Sequence, residues 1–154
     1  MNLTHRTVPE IWQHHISSLA ERNVEKFILD FSDDCLFMNN PQGGHASGVF
    51  RGPQGVATWL RQFLDLFGDI SEMSVDPGMK PSNPLFFSEN VVIALWGLDS
   101  KTHMVERGVD TFVIDRGQFK LITVVYDVVP KAIGADQFSQ PHLHDLEVDR
   151  LAIV

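Results

Sequence analysis

Two residues in this chain have the type and placement for proton-transfer chemistry. Asp110 sits mid-run in Val109-Asp110-Thr111-Phe112. In extended backbone alternate residues share a face, so its carboxyl is expected on the side of Phe112 and Ile114. A carboxylate on an apolar face is unfavourable unless it is paired or protonated, and groups perturbed in that way tend to mark functional sites. His15 lies on a stripe with Trp12, Ile16 and Leu19 at helical spacing. An imidazole on a buried stripe can give or take a proton near neutral pH. Each residue also has a plainer reading: Asp110 points outward or pairs with Arg107, and His15 is a core histidine bonded to a carbonyl or water. If both face one dry cavity, their proton affinities can be pushed apart, which acid–base catalysis needs.

Aromatic residues supply candidates for the wall of such a cavity. Trp12, Trp59, Phe63, Trp96 and Phe112 are expected to contact a ligand, or else simply to fill the core. The single tyrosine, Tyr126, shares parity with Ile122 and Val124 and is expected on the pocket wall, where a buried phenol seeks a partner. Asp127 beside it is expected at the rim. Asn39 and Asn40 precede Pro41; either these asparagines orient a substrate oxygen, or Asn40 makes a turn with Pro41. His14 should face solvent, and His45 and His103 read as histidines of solvated loops. His142, His144 and Asp145 form a weak metal-ligand pattern. Neither a metal ion nor a cofactor is expected. No nucleophile elbow, phosphate-cradling loop or dinucleotide fingerprint occurs.

Three helices and a meander of strands must position these groups. Thr7 and Glu10 have capping-box spacing, and Pro9 suits a first turn. A second helix starts at the cap Asn23, with Val24, Phe27, Ile28 and Phe31 on one face. The third opens at Gly52-Pro53, carries Val56, Trp59, Leu60, Phe63 and Phe67 as its stripe, and closes at Gly68. Residues 35–38 read as a short strand and 70–75 as another. The prolines of 76–84 mark a loop. Residues 85–98, 104–114 and 119–129 read as longer strands, with a tight turn over 115–118. Helices first and strands after indicate an α+β fold. One domain is expected over 1–154, with a core of about 8–129 and an extension, 130–154, apolar enough to dock.

Composition narrows the function classes. The chain has 154 residues, 44% of them hydrophobic and 21% charged, which supports a real core. A net charge of -8 repels phosphate backbones, so nucleic acid is not an expected partner. Cys35 is the only cysteine, which rules out an internal disulfide, and it reads as inert core. No apolar leader core and no run of roughly 20 apolar residues occurs, so a cytoplasmic protein without membrane contact is expected. The late strands are apolar on both faces. Val109, Thr111 and Val113 oppose Asp110, Phe112 and Ile114, and Leu121, Thr123 and Val125 oppose Ile122, Val124 and Tyr126. Helices can cover one face; a second subunit is expected on the other, making a homodimer through the outer sheet face.

Three runs carry a resemblance: NVEKFILDFSDDCLFMNNP (23–41), FRGPQGVATWLRQF (50–63) and GVDTFVIDRGQFKLITVVYD (108–127). An acidic strand entry, an R-G-x-x-G helix entry and a D-x-F-x-x-x-x-G hairpin, in that order, resemble the SnoaL-like, or nuclear-transport-factor-two-like, superfamily over about 8–129. Its members include polyketide cyclases, ketosteroid isomerases, scytalone dehydratase, limonene epoxide hydrolase and non-catalytic binding proteins. The resemblance implies a cone-shaped α+β barrel, a curved antiparallel sheet whose concave face is covered by the N-terminal helices around a pocket. It implies that Asp110 matches the isomerases' protonated acid and that His15 stands roughly where their catalytic tyrosine does. Asn39 and Asn40 stand where those enzymes carry a general-base aspartate. An amide cannot take a proton so readily, which counts against steroid isomerisation. The implied functions are binding of a small apolar carbonyl- or hydroxyl-bearing molecule with cofactor-free isomerase, cyclase or dehydratase chemistry, or a non-catalytic binding or assembly module. A cavity of roughly a few hundred Å³ shared by His15, Asp110 and Tyr126 would favour the first, and a filled interior the second.

Overall fold

The first helix forms where its capping residues allow. The computed structural model describes residues 6–42, 46–68, 70–74 (backbone only) and 86–131. Helix α1 runs over Val8–Ala20, and the Glu10 carboxylate accepts from the Thr7 amide at 2.7 Å and from its hydroxyl at 2.8 Å. Helix α2, Val24–Phe27, starts where Asn23 Oδ1 accepts from the Lys26 amide at 2.9 Å. It is shorter than its stripe predicts. A single 3-10 turn, Ile28–Asp30, follows, and Phe31 is already extended. Helix α3, Gly52–Leu66, lies where its glycine, proline and apolar stripe predict.

Strand β1 spans Phe31–Gln42, well beyond the predicted 35–38. Asn39, Asn40 and Pro41 therefore sit on a strand, not in a turn. Pro41 lies past the stretch paired to β2 (Gly48–Arg51), so its missing N–H breaks no ladder on that side. Strand β3 is Ile70–Ser74. The predicted strand 85–98 divides into β4 (Phe86–Phe87) and β5 (Val91–Ser100), because the chain reverses at Ser88, whose amide donates to Val91 O at 3.0 Å. Then come β6 (His103–Asp115), β7 (Gln118–Asp127) and β8 (Val129–Pro130). The loop 76–84, His45, His142, His144, Asp145 and the extension past 131 lie outside the described residues.

The strands form one curved, open sheet in the order β2-β1-β7-β6-β5-β3, with β4 added to β5 and β8 to β6. One pairing departs from the antiparallel expectation: β1 and β7 run parallel. A hairpin imposes antiparallel pairing, but these two strands are joined through most of the chain, so nothing local sets their direction. The helices cover the concave face. Ile11, Trp12, Phe27, Leu60 and Phe63 are buried against Phe37, Phe112, Ile122 and Val124. Each such side chain contributes about 1.5–3 kcal/mol when removed from water.

Gly52 begins α3 at φ +65°, and a Cβ there would lie 2.8 Å from the Asp33 carbonyl oxygen. The helix can start this close to β1 only without a side chain. Gly52→Ala is therefore expected to lower stability by about 1–3 kcal/mol in urea titration; an unchanged midpoint would contradict the tight approach.

Candidate functional site

Sheet register decides which side chains face the helices. Across β5, β6, β7 and β1 one inward row reads Val92, Phe112, Ile122 and Phe37. The next reads Ala94, Asp110, Val124 and Asn39, and the third Trp96, Gly108, Tyr126 and Pro41. The middle row is made of small and medium side chains between rows that hold large aromatics. Space is left above it, and Asp110 faces that space.

Gly108 and Trp96 complete the surroundings of Asp110. Trp96 pairs with Gly108 in register, and a Cβ on Gly108 would lie 2.2 Å from the indole ring. Lacking one, Gly108 lets the indole lie across β6. The indole packs on the Tyr126 ring with centroids 5.2 Å apart, and its Nε1–H donates to Asp110 Oδ1 at 2.7 Å. No ion pair with Arg107 forms; Arg107 is exposed. Burial, only partly offset by the indole bond, pushes the Asp110 carboxyl up to about 7. An indole only donates, so Oδ1 is an acceptor and the proton of the neutral acid belongs on Oδ2.

His15 is buried in an aromatic cage, with ring centroids 4.5 Å from Phe27, 4.9 Å from Phe119 and 5.2 Å from Phe112. Burial holds its imidazole below the usual histidine range, against the pull of Asp30, so it is neutral at pH 7. Asp30 is itself fully buried. Its Oδ1 accepts from Arg6 Nη1 at 2.6 Å and contacts His14 Nδ1 at 2.7 Å, while Oδ2 lies 3.7 Å from His15 Nδ1. His14 is thus half-buried on this carboxylate rather than facing solvent, because the 3-10 turn brings Asp30 beneath α1. Arg6 also donates to the Gly117 carbonyl at 3.1 Å, which ties the start of α1 to the β6–β7 turn.

His15 and Asp110 line one cavity, together with Trp12, Trp59, Phe63, Trp96 and Phe112. Its volume is about 40 Å³, far below the expected few hundred and enough for a few water molecules. Tyr126 is not on the wall. Trp96 lies over it, and its hydroxyl instead accepts a long bond of 3.4 Å from Asn39 Nδ2. Burial pushes this phenol up as well. Asn40 is exposed on the outer face, which removes it from the binding set; Asn39, one residue earlier, is the buried member. Asp127 is exposed, and Cys35 is buried with its thiol pushed up by burial. His103 lies away from the cavity, with Nδ1 2.8 Å from the Thr102 hydroxyl. Three buried polar atoms at or near the cavity lack hydrogen-bond partners among the described residues: Trp59 Nε1, His15 Nδ1 and Asn39 Oδ1. Sequence spacing did not point to Arg6, Asp30 or Gly108; of the two asparagines it singled out, strand parity from Cys35 and Phe37 marks Asn39 as the inward one.

Neither a family model nor a curated protein sequence matches the chain. Solved structures do match in fold. One is a nuclear-transport-factor-two-like protein from Burkholderia xenovorans, 14% identical with a TM-score of 0.56, covering 79% of this chain and 92% of that one. Another, from Kribbella flavida and provisionally named a ketosteroid isomerase, is 13% identical with a TM-score of 0.56, covering 93% and 88%. A third, TerC co-crystallised with polyporic acid, is 14% identical with a TM-score of 0.57, covering 77% and 89%. The fold is therefore the nuclear-transport-factor-two-like, or SnoaL-like, α+β cone that the resemblance implied. No helix among the described residues is long and apolar enough to cross a membrane.

The Asp110 carboxyl carries a pH signature. Between about pH 4 and 7 the folded state keeps a proton that the unfolded chain releases, so this group weakens the fold as pH rises through that window. The span from 3.8 to about 7 corresponds to at most about 4 kcal/mol. Asp110→Asn, which keeps an acceptor for the indole, should raise the melting temperature at pH 8 and leave it nearly unchanged at pH 3.5. Equal effects at both pH values would place the carboxyl in water.

Proposed function

We propose that this chain binds a small, mostly apolar molecule bearing a carbonyl or hydroxyl group in the cavity beneath α1 and α3, and moves a proton on it without a cofactor. The observation that carries this reading is a pair of titratable groups lining one mostly apolar cavity, displaced toward their neutral forms. Asp110 is then an acid near pH 7 and His15 a base. His15 would take a proton from the carbon or hydroxyl of the ligand. Asp110 would donate a proton to the oxygen on which negative charge develops, and would recover it as the proton on His15 is delivered to a second position. Isomerisation, cyclisation and dehydration are the reactions of this type. The Trp59 N–H without an acceptor offers a further contact to a ligand oxygen. That TerC, a structure of the same fold, was crystallised with polyporic acid supports a ligand of this general class. A cytoplasmic location accords with such a role.

The narrow cavity supports a second reading. At about 40 Å³ it admits few heavy atoms unless side chains move, as a non-catalytic binding or assembly module would allow. Assembly has its own support on the outer sheet face. There, rows of Leu95, Val109 and Val125, and of Ile93, Thr111, Thr123 and Met38, are only partly covered. Val109 keeps 37% and Val125 46% of its exposure. A second copy of the chain is the proposed cover.

Small cyclic ketones, enones and phenols should raise the melting temperature of the wild-type protein. The ketones that bind should exchange their α-protons for deuterium in D₂O, and Asp110→Asn should slow that exchange at least ~100-fold at unchanged circular dichroism. Stabilisation without exchange would select the non-catalytic reading; neither effect would end both. Light scattering should report a dimer at micromolar concentration and a monomer for Val125→Lys. A monomeric wild type would exclude the outer-face assembly.

A further inference from the structure

The cluster behind the cavity has a feature that the proton-transfer reading does not use. Asp30 presents two oxygens that are not equivalent. Oδ1 is occupied by the Arg6 guanidinium at 2.6 Å and by His14 Nδ1 at 2.7 Å. Among the described residues Oδ2 has no hydrogen-bond partner and lies 3.7 Å from His15 Nδ1, which has none either. These two buried polar atoms face each other across a gap less than ~1 Å longer than a hydrogen bond. Around the rest of the imidazole stand Trp12, Phe27, Phe31, Phe112 and Phe119, and the four phenylalanine rings carry no atom that competes for a ring nitrogen.

We infer that Asp30 is a positioning residue that holds His15 in the tautomer with its proton on Nδ1, leaving Nε2 as the basic nitrogen toward the cavity. With the proton on Nε2 instead, a lone pair on Nδ1 would face the lone pairs of a carboxylate oxygen with no donor between them. That arrangement leaves two buried acceptors unmet. With the proton on Nδ1, a donor faces the carboxylate oxygen across the 3.7 Å gap. Arg6 has a separate part. Its positive charge pairs with the buried Asp30 carboxylate at 2.6 Å, while burial among the aromatic rings keeps the imidazole neutral against the pull of Asp30. The titratable and charged groups around His15 are then Arg6, His14 and Asp30 behind it and Asp110 on the wall of the shared cavity. The catalytic value of this tautomer rests on His15 acting as the base; the tautomer itself does not.

Long-range ¹⁵N–¹H correlation spectra of ¹⁵N-histidine-labelled protein at pH 7.5 read the tautomer with no ligand present. The wild type is expected to show a neutral His15 ring protonated on Nδ1. In Asp30→Asn the donor-only guanidinium of Arg6 should take the amide oxygen at the Oδ1 place. The amide N–H then faces His15, and the proton should shift to Nε2. A purely structural Asp30 would leave the tautomer where it was. Wild-type protein carrying the proton on Nε2, or a folded Asp30→Asn chain keeping it on Nδ1, overturns the assignment. If Asp30→Asn does not fold, the wild-type tautomer is the deciding result. Absence of proton exchange on every ketone would remove the reaction while leaving this assignment standing, so the two fail separately.

Discussion

A carboxyl group facing a small, mostly apolar cavity with one neutral donor and no counter-charge sets the terms for the concave side of the sheet. Ionised, Asp110 would need either water or a cation, and the row that holds it provides Ala94, Val124 and an amide. A single indole bond at 2.7 Å only partly offsets the loss of hydration. The neighbouring architecture follows from accommodating this group. Gly108 has no side chain so that Trp96 can lie across the strand, and Trp96 in turn covers Tyr126 and reaches Asp110. Substitution at a glycine with no polar atom on its side chain would thus be felt by an acid two residues away.

The opposite wall solves a related problem differently. His15 loses hydration among aromatic rings, and its neutral form is favoured for that reason. The charge in its vicinity is a buried ion pair, Arg6 with Asp30, whose carboxylate pulls the ring toward the cation less strongly than burial opposes it. One wall therefore has an acid without a cation, and the other a base backed by an anion that already has its cation. Buried ion pairs are often weak contributors to stability, and retention of this one suits orientation better than strength.

Much of this was legible in the chain. Alternation in 109–114 and 121–126 placed Asp110 inward, and the stripe of α1 placed His15 beside it, because side-chain parity is a local property. Helix α3 was legible from its glycine, proline and stripe. What failed was non-local or masked by a competing local signal. Asn-Pro is a strong turn dipeptide, and it hid a strand in which Asn39 rather than Asn40 points inward. Asp30 looked like one more polar residue at a helix end, since Arg6 and His14, the partners that make it matter, come from α1 and the residues before it. The small cavity could not be foreseen either, because free volume is the difference between side chains on four strands and two helices.

The parallel pairing of β1 with β7 has a consequence for how the molecule comes into being. Residues 31–42 find their partners at 119–127, so the central seam of the sheet joins the early part of the chain to a late one. On the ribosome, the first long strand is made well before its seam partner exists, and only the short β2 can protect one edge of it meanwhile. Loop closure over such a span is slow compared with hairpin formation, which places this fold among the late-committing topologies. Until β7 emerges, the nascent chain exposes an apolar strand edge, and this interval is where aggregation or chaperone capture competes with folding.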